Sequence, residues 1–267
     1  MLDLLAGRPL VALTGAGLST DSGIPDYRGP GSPRRTPMTY QEFVSGEVAQ
    51  RRYWARSHVG WARMAGAAPN AGHRAIAALE DAGVLQGLIT QNVDGLHSDA
   101  GSRAVIDLHG RIDTVVCLGC ARRTPRSELQ ERFAALNPGF LEAVAVEIRP
   151  DGDAELDEVG HFELAWCTAC GGVLKPDVVF FGENVPRERV ARAYALVDAL
   201  APAGGALLVA GSSLTVMSGL RFVRHAHKLG VPVVIVNRGA TRGDPLATLL
   251  VDAGCSEALP ALVAAAA

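Results

Sequence analysis

Hydrophobic and polar positions are distributed in blocks along the chain: short apolar runs are separated by longer, Ala-rich stretches with helical spacing. The apolar runs predict buried strands and the longer stretches predict helices. Strands that alternate with helices favour a parallel sheet with helices on both faces. The predicted strands are Leu10–Thr14, Gly87–Thr90, Val105–Leu108, Ala206–Ala210 and Val231–Asn237, and the predicted helices are Ala71–Asp81, Arg187–Leu200 and Met217–Leu229.

Two segments interrupt this alternation. Residues 29–67 begin with Gly and Pro and continue into an Arg- and Trp-containing stretch, which predicts a loop followed by a helical insert. Residues 112–172 begin and end near cysteine pairs and contain the acidic stretch Asp151–Glu158, which is typical of a solvated loop. The sequence therefore predicts one α/β domain that is interrupted by two inserts.

The composition narrows the class of protein. The chain has 267 residues, of which 48% are hydrophobic and 20% are charged, so it can bury a core and is not of the disordered type. Its net charge of −3 argues against a broad basic surface for nucleic acid. The N-terminal segment carries Asp3 and no basic stretch, and no apolar run approaches the roughly 18 residues of a membrane helix. We expect a cytoplasmic protein that binds neither nucleic acid nor membrane.

A Gly-rich segment directly follows the first predicted strand, at Gly15, Ala16 and Gly17. Such a turn lets backbone N–H groups approach phosphates, and a helix beginning there would direct its positive end at them. Position 20 is Thr where the dinucleotide fingerprint has its third Gly, so a purely structural turn stays open. The next loop brings a carboxylate, an aromatic ring and a guanidinium together in residues 26–28, a combination for which an ordinary connection has little use.

Two further polar clusters follow predicted strands. Residues 91–97 (QNVDGLH) come after the second strand, and His109 with Gly110 comes after the third. In parallel sheets, ligands bind beyond the carboxyl ends of the strands. Turn chemistry alone would explain Asn92 and Asp94, and a structural role would explain His109. The convergence of three clusters on one sheet edge is what favours a ligand site.

The five cysteines form two CxxC pairs and one single residue, Cys255. An odd number in this arrangement argues against a secreted disulfide scaffold. Two CxxC pairs supply four thiolates for a tetrahedral ion, which favours structural zinc without an open catalytic position. An iron–sulfur cluster and a redox pair remain as alternatives. Cys255 alone is typical of a small buried apolar residue.

Together these segments resemble the sirtuin (Sir2) family of NAD-dependent protein lysine deacylases. The similarity spans nearly the whole chain in the family's order, at residues 15–28, 90–97, 108–110, 175–183, 211–214 and 234–237 and at the four paired cysteines. Residues 53–61, 131–140 and 150–153 are similar to the class II branch. The resemblance implies a Rossmann-like large domain of residues 1–30, 80–111 and 173–267. The small domain would combine a helical insert, 31–79, with a zinc-binding insert, 112–172.

The resemblance also implies roles for individual residues. His109 is the expected general base, and Asn92 and Asp94 are expected beside it as catalytic residues that orient the nicotinamide and ribose. The expected NAD contacts are Gly15, Ala16, Gly17, Pro25, Asp26, Tyr27, Arg28, Gln91, Asn92, Asp94, Gly211, Ser212, Ser213, Asn237, Arg238, Gly239 and Cys255. The expected contacts with the acyl-lysine peptide are Val93, Val179, Phe180, Gly182, Glu183 and Val216. The expected ligands of one structural zinc ion are Cys117, Cys120, Cys167 and Cys170.

The implied reaction moves the acyl group from a protein lysine to ADP-ribose and releases nicotinamide and O-acyl-ADP-ribose. A monomer that acts on acyl-lysine proteins or peptides is expected. Mono-ADP-ribosyl transfer in the same cleft is an alternative, and a non-enzymatic NAD sensor is a second one that the complete catalytic set argues against. A preference for longer or acidic acyl groups is also open: Tyr53 and Arg56 have the residue types that select acidic groups in another branch, although their context follows class II. Trp54 and Trp61 fit a core role equally well.

Overall fold

The computed structural model describes residues 1–27, 37–141 and 161–266. Arg28, the acidic stretch Asp151–Glu158 and the class II segment 150–153 lie outside the described residues. The strands are β1 (Leu10–Thr14), β2 (Leu85–Thr90), β3 (Val105–Asp107), β4 (Gly110–Cys117), β5 (Arg123–Pro125), β6 (Leu174–Val178), β7 (Ala206–Ala210), β8 (Val233–Val236) and β9 (Leu249–Val251). The helices are α1 (Leu2–Leu5), α2 (Tyr40–Phe43), α3 (Glu47–Gly66), α4 (Ala71–Asp81), α5 (Leu96–Asp99), α6 (Arg126–Leu136), α7 (Arg187–Leu200), α8 (Met217–Lys228) and α9 (Cys255–Ala266).

Six parallel strands form the large sheet in the order β3-β2-β1-β7-β8-β9. The chain runs outward from β1 to β3 on one side and from β7 to β9 on the other, so the direction of strand addition reverses between β1 and β7. Such a reversal opens a crevice at the carboxyl ends of the two central strands, where ligands of doubly wound sheets bind. The predicted Rossmann-like class is confirmed.

The large sheet is buried on both faces, which explains why its strands have no polar alternation. Along β1, Leu10 and Ala12 face one cluster with α4 and α9. Val11 and Leu13 face the opposite cluster with α7 and α8. All five residues of β1 are buried, as are all five of β7.

A smaller antiparallel sheet, in the order β5-β4-β6, lies within the second part of the molecule. It packs with α3 and α6 around a separate apolar cluster. Trp54 is 1% exposed in this cluster and donates from its indole N–H to the Leu174 carbonyl oxygen at 3.0 Å. The buried Arg126 guanidinium lies 5.3 Å from the Trp54 ring centre and 4.9 Å from that of Trp61. Trp54 is therefore a core residue.

The five predicted strands of the large sheet and the three predicted helices are present, with ends that differ by up to two residues. The prediction of a helix after the Gly-rich segment was wrong, because two short 3-10 turns, Ala16–Leu18 and Thr20–Ser22, stand there. The sequence also did not predict β4, β5, β9 or α6. Only three residues make up β9 and none of them is fully buried, so its apolar run is too short to indicate a strand.

The division into two domains at the stated boundaries stays a prediction. β6 begins just after the predicted start of the last large-domain segment, yet it pairs with β4 in the small sheet. α4 falls mostly within the predicted helical insert, yet it packs against β2 and α9 of the large sheet. None of the helices in the described ranges has both the length and the apolar character needed to span a bilayer.

Candidate active site

A cavity of about 660 Å³ lies at the carboxyl ends of β1, β2, β7 and β8 and extends to the small sheet. Its wall includes residues from the loops that follow these four strands, and also Tyr53 of α3, Ile112 of β4 and Val178 of β6. The cavity therefore occupies the crevice that the strand order predicts and is closed from the other side by the small sheet and α3.

The Gly-rich segment and the loop after β7 form one wall of the cavity by direct contact of their backbones. The Gly17 N–H donates to the Gly211 carbonyl oxygen at 2.8 Å. Gly211 has a φ of +64°, and a Cβ there would lie 2.2 Å from the Leu18 nitrogen. A side chain at position 211 would therefore force the two loops apart.

Ser19 links two of the predicted catalytic side chains. Its hydroxyl donates to Asp94 Oδ2 at 2.7 Å and accepts from Asn92 Nδ2 at 3.0 Å. Asn92 Nδ2 also donates to the Gly15 carbonyl oxygen at 3.1 Å. Burial raises the pKa of Asp94, although the hydrogen bonds from Ser19 and the Leu96 N–H oppose this effect. The loops after β1 and β2 are therefore locked together at the floor of the cavity.

His109 lines the cavity and has a partner at each ring nitrogen. Nδ1 lies 2.9 Å from the Gln91 carbonyl oxygen, and Nε2 lies 2.8 Å from the Ser218 hydroxyl. Because the carbonyl oxygen can only accept, Nδ1 carries the hydrogen and Nε2 of the neutral ring has the free lone pair. Burial lowers the pKa of His109 from its ordinary 6.5. The ring is therefore neutral near pH 7 and can accept a proton at Nε2.

Two other histidines are buried behind the Ser19 cluster. His97 Nε2 lies 3.0 Å from Thr14 Oγ1, and burial lowers the pKa of His97 to about 3. His73 stacks edge-on against His97 at 4.8 Å and caps α4 together with Asn70, and burial lowers its pKa to about 4. Neither ring lines the cavity. The structure thus favours a structural role for His97.

The loop after β8 and the start of α9 form the far end of the cavity and carry four of the NAD contacts that the resemblance implies. Asn237 Nδ2 donates to the carbonyl oxygens of Arg238 and Gly239, both at 3.0 Å. Cys255 is 4% exposed, and burial raises the pKa of its thiol to about 12. A neutral, buried thiol contributes shape here and no nucleophile.

The segment after β6 borders the cavity beside His109. The Val179 N–H donates to the His109 carbonyl oxygen at 2.8 Å. Phe180 packs against Phe43 at 5.4 Å and against Tyr53 at 5.1 Å between ring centres. The Glu183 carboxylate accepts from the Phe180 N–H at 2.9 Å. It also pairs with the buried Lys175 ammonium at 3.1 Å. Lys175 and Glu183 therefore fix the shape of this segment.

The cavity beside this segment is apolar. Tyr53 lines it together with four apolar side chains, Met38, Met64, Ile112 and Val178. Arg56 is not among the residues that line the cavity. Of the two residues whose types would suit an acidic acyl group, Tyr53 is therefore in the wall and Arg56 is not.

The structure brings most of the predicted site residues to this one cavity. The residues in its wall are Gly15, Ala16, Gly17, Asp26, Tyr27, Gln91, Asn92, Val93, Asp94, His109, Val179, Phe180, Gly211, Ser212, Ser213, Val216, Asn237, Arg238, Gly239 and Cys255. Three predicted residues are not in the wall: Pro25, Gly182 and Glu183. The first two are each adjacent in sequence to a wall residue, and Glu183 is two positions from one. The ligand contacts of all these residues stay predictions.

Ser19 and Ser218 are the polar contacts that sequence reasoning missed. Ser19 lies two residues after the Gly-rich segment, so its position offered a signal. Ser218 lies in the first turn of α8, and nothing in its sequence neighbourhood distinguishes it from a surface residue of the helix.

The four paired cysteines come together at the end of the small sheet. Their sulfur atoms lie within 4.8 Å of one another, with 3.5 Å between Cys117 and Cys170 and 3.8 Å between Cys120 and Cys167. Tetrahedral zinc with Zn–S bonds near 2.3 Å requires sulfur separations of about 3.8 Å. The Gly119 N–H donates to Cys117 Sγ at 3.3 Å, as expected for a thiolate ligand. The donor set fits one structural zinc ion.

Comparisons with known proteins agree with this geometry. A family model described as the Sir2 family matches residues 15–218. The NAD-dependent protein deacetylase 1 of Mycobacterium avium is 57% identical over 266 residues, covering 98% of this chain and 93% of the relative. The NAD-dependent protein deacetylase 1 of Streptomyces coelicolor is 58% identical over 249 residues, covering 92% and 82%. A solved structure described as Sir2 with a p53 peptide and NAD⁺ has a TM-score of 0.78 at 31% identity, covering 98% of this chain and 95% of that one.

Proposed function

The chain belongs to the Sir2 family and is an NAD-dependent protein deacetylase, and we propose that His109 is the general base of its reaction. The observation that supports this assignment is the pair of hydrogen bonds on the ring, which directs the lone pair of Nε2 away from the Gln91 carbonyl. When bound, NAD supplies the ribose carbon that captures the acyl oxygen as nicotinamide leaves, and the acyl group departs as O-acyl-ADP-ribose. His109 takes the proton of a ribose hydroxyl at Nε2.

Asn92 and Asp94 orient the nicotinamide and ribose in this proposal. Ser19 fixes both side chains, and the Leu96 N–H donates to Asp94 Oδ1 at 3.0 Å. A carboxylate and an amide that are already held by the protein lose little further rotational freedom when a ligand binds. The burial of Asn92, which is 8% exposed, also excludes water from the point where the glycosidic bond breaks.

We propose that the acyl-lysine peptide binds between the segment that begins at Val179 and the loop that ends at Val216. Both residues line the cavity that contains His109, and the Val179 N–H donates to the His109 carbonyl oxygen, which suits a peptide that adds as a strand between the two segments. The apolar wall near Tyr53 and Phe180 would then receive the lysine side chain and its acyl group. The solved structure of a Sir2 protein with a p53 peptide and NAD⁺ supports this class of substrate.

The zinc ion has a structural role in this proposal. Its ligands are Cys117, Cys120, Cys167 and Cys170. None of the four thiols is in the cavity wall. We further propose, as the sequence predicts, that the enzyme is a cytoplasmic monomer without nucleic-acid or membrane partners.

The test of the general base is His109→Ala, with His161→Ala as the matched control. His161 is exposed outside the cavity, so its replacement is expected to leave turnover unchanged. Loss of a positioned base costs on the order of 10²–10⁴ in rate. We expect His109→Ala to lower the rate of nicotinamide release from acetyl-lysine peptide and NAD by that amount, with an unchanged melting temperature. A folded His109→Ala enzyme with near-normal turnover would refute the assignment.

A further inference from the structure

The first turn of α8 packs directly on the candidate base. Ser218 is 9% exposed, and its hydroxyl lies 2.8 Å from His109 Nε2. The next residue, Gly219, meets Gln91: a Cβ at Gly219 would lie 2.4 Å from Gln91 Oε1. The same turn therefore touches the ring of His109 and the residue whose carbonyl oxygen holds the opposite ring nitrogen.

The direction of each hydrogen bond follows from the chemistry of the groups. In the neutral ring Nδ1 donates to Gln91, so Nε2 is an acceptor and Ser218 must donate to it. Once Nε2 has taken a proton it becomes a donor, and the Ser218 oxygen can then accept. A hydroxyl serves both states of the ring because it can donate and accept by rotation about one bond.

We propose that Ser218 is a positioning residue for His109, a role that rests on His109 being the general base. Its hydroxyl donates to Nε2 of the resting imidazole and keeps the ring aligned until a substrate hydroxyl displaces it. The substrate proton then moves to Nε2, and Ser218 accepts a hydrogen bond from the new N–H. The proton leaves to solvent at the end of the cycle, when Ser218 donates again.

The charged groups around His109 determine what removal of the hydroxyl would do. Burial is the main cause that lowers the pKa of His109; the hydrogen bond to Gln91 raises it, and the positive charge of Arg189 on α7 lowers it further. Asp107 ends β3 and Asp94 follows β2, and burial raises the pKa of both carboxyls. Hydrogen bonds to a charged group are stronger than those to a neutral one, so the hydroxyl stabilises the imidazolium more than the neutral ring. Its loss should therefore lower the pKa of His109 further.

Ser218→Ala tests the proposal, with Ser127→Ala as the matched control. Ser127 occupies the same second position of a helix, α6, but is exposed and lies outside the cavity. The first readout is an NMR titration of the imidazole signals in the cofactor-free protein, with His109 assigned by the signals missing from His109→Gln. We expect Ser218→Ala to lower the pKa of His109 by about half a unit or more, and Ser127→Ala to leave it unchanged.

The second readout is turnover with acetyl-lysine peptide and NAD across pH. We expect Ser218→Ala to lower kcat about tenfold, to change KM less than twofold, and to move the acidic limb of kcat to lower pH, because the base then loses its proton at lower pH. Ser218→Thr, which keeps the hydroxyl, should recover most of the loss.

Three outcomes would overturn the proposal: an unchanged pKa of His109 in Ser218→Ala, wild-type kcat in that variant, or a folded Ser218→Thr enzyme no better than Ser218→Ala. His109→Ala separates this inference from the proposed function. If His109→Ala keeps its turnover, the general base itself is wrong. If His109→Ala is inactive while Ser218→Ala behaves as wild type in both readouts, only the role of Ser218 is refuted.

Discussion

At the residue scale, the site depends on side chains that each make more than one contact. Ser19 joins Asn92 to Asp94, and Gln91 holds His109 with its carbonyl oxygen while its side chain donates to Ser212 at 2.8 Å. Each of these residues lies in a loop that follows a strand of the parallel sheet. The strands therefore fix the positions of the loops, and hydrogen bonds between the loops fix the positions of the site residues.

The residues that touch the cavity were largely predictable, because they follow apolar strands and carry unusual combinations of polar groups. Ser19 and Ser218 were not, because a lone serine near a turn or in a first helical turn is common for local reasons. Their roles depend on partners far away in sequence: Asp94 for Ser19 and His109 for Ser218. Only the tertiary structure supplies those partners.

Gly110, which follows the candidate base, provides a prediction at this scale. Its φ is +83°, and a Cβ there would lie 1.9 Å from the Asp177 carbonyl oxygen on β6. Gly139 has a similar φ of +77° but nothing within 4 Å of a Cβ, so it is the matched control. We expect Gly139→Ala to lower the free energy of unfolding by about 1–2 kcal/mol, the cost of the left-handed conformation.

Gly110→Ala should cost at least about 3 kcal/mol, because the backbone of β4 or β6 must also move. Since His109 is adjacent, turnover should fall as well. Urea unfolding and nicotinamide release measure the two effects. Equal losses of stability in the two variants would show that the contact with Asp177 does not constrain the corner at His109.

At the scale of elements, β4 and β6 connect the zinc ligands to the candidate base. β4 begins beside His109 and ends at Cys117, about 23 Å along the strand. β6 begins four residues after Cys170 and leads into Val179, whose N–H holds the His109 carbonyl oxygen. The cysteine pairs therefore fix one end of a two-stranded ladder whose other end carries the proposed base and the segment proposed to bind the peptide.

The strands of the small sheet were harder to predict than those of the large one. β4 alternates between buried and partly exposed residues and includes Arg111 and Asp113, so its apolar pattern is weak. The cysteine pairs indicated a metal site in this region but carried no information on strand order. The position of β4 is set by its pairing with β6, which is more than fifty residues away in sequence. A local sequence pattern cannot predict such a distant partner.

Loss of zinc should therefore abolish turnover even though none of the four zinc-binding thiols lines the cavity. We expect one zinc ion per wild-type chain and less than about a tenth of that in Cys170→Ala, because structural sites need all four ligands. Cys255→Ala is the control for metal content and should keep its zinc. Metal analysis and nicotinamide release provide the readouts. A zinc-free Cys170→Ala enzyme with wild-type turnover would show that the ladder does not depend on the ion.

At the scale of the whole molecule, the large sheet with its two apolar clusters and the small sheet with its own cluster face each other across the cavity. The large sheet supplies loops rich in backbone donors and small residues, which suit a dinucleotide. The small sheet and α3 supply an apolar wall, which suits a lysine side chain and its acyl group. Five strands of the parallel sheet could be predicted from sequence because they are mostly apolar. The cavity could be predicted only in outline, because its second wall comes from elements with weak patterns.

Mass spectrometry of the products directly tests whether the enzyme transfers an acyl group from lysine to ADP-ribose in this cavity. The protein is incubated with an acetyl-lysine peptide and NAD. The masses of the peptide, the nucleotide products and the protein are then measured. We predict equal amounts of free-lysine peptide, nicotinamide and O-acetyl-ADP-ribose, with no reaction when NAD is omitted. A peptide or protein that gains the mass of ADP-ribose while the acetyl group stays on lysine would contradict the account and indicate ADP-ribosyl transfer.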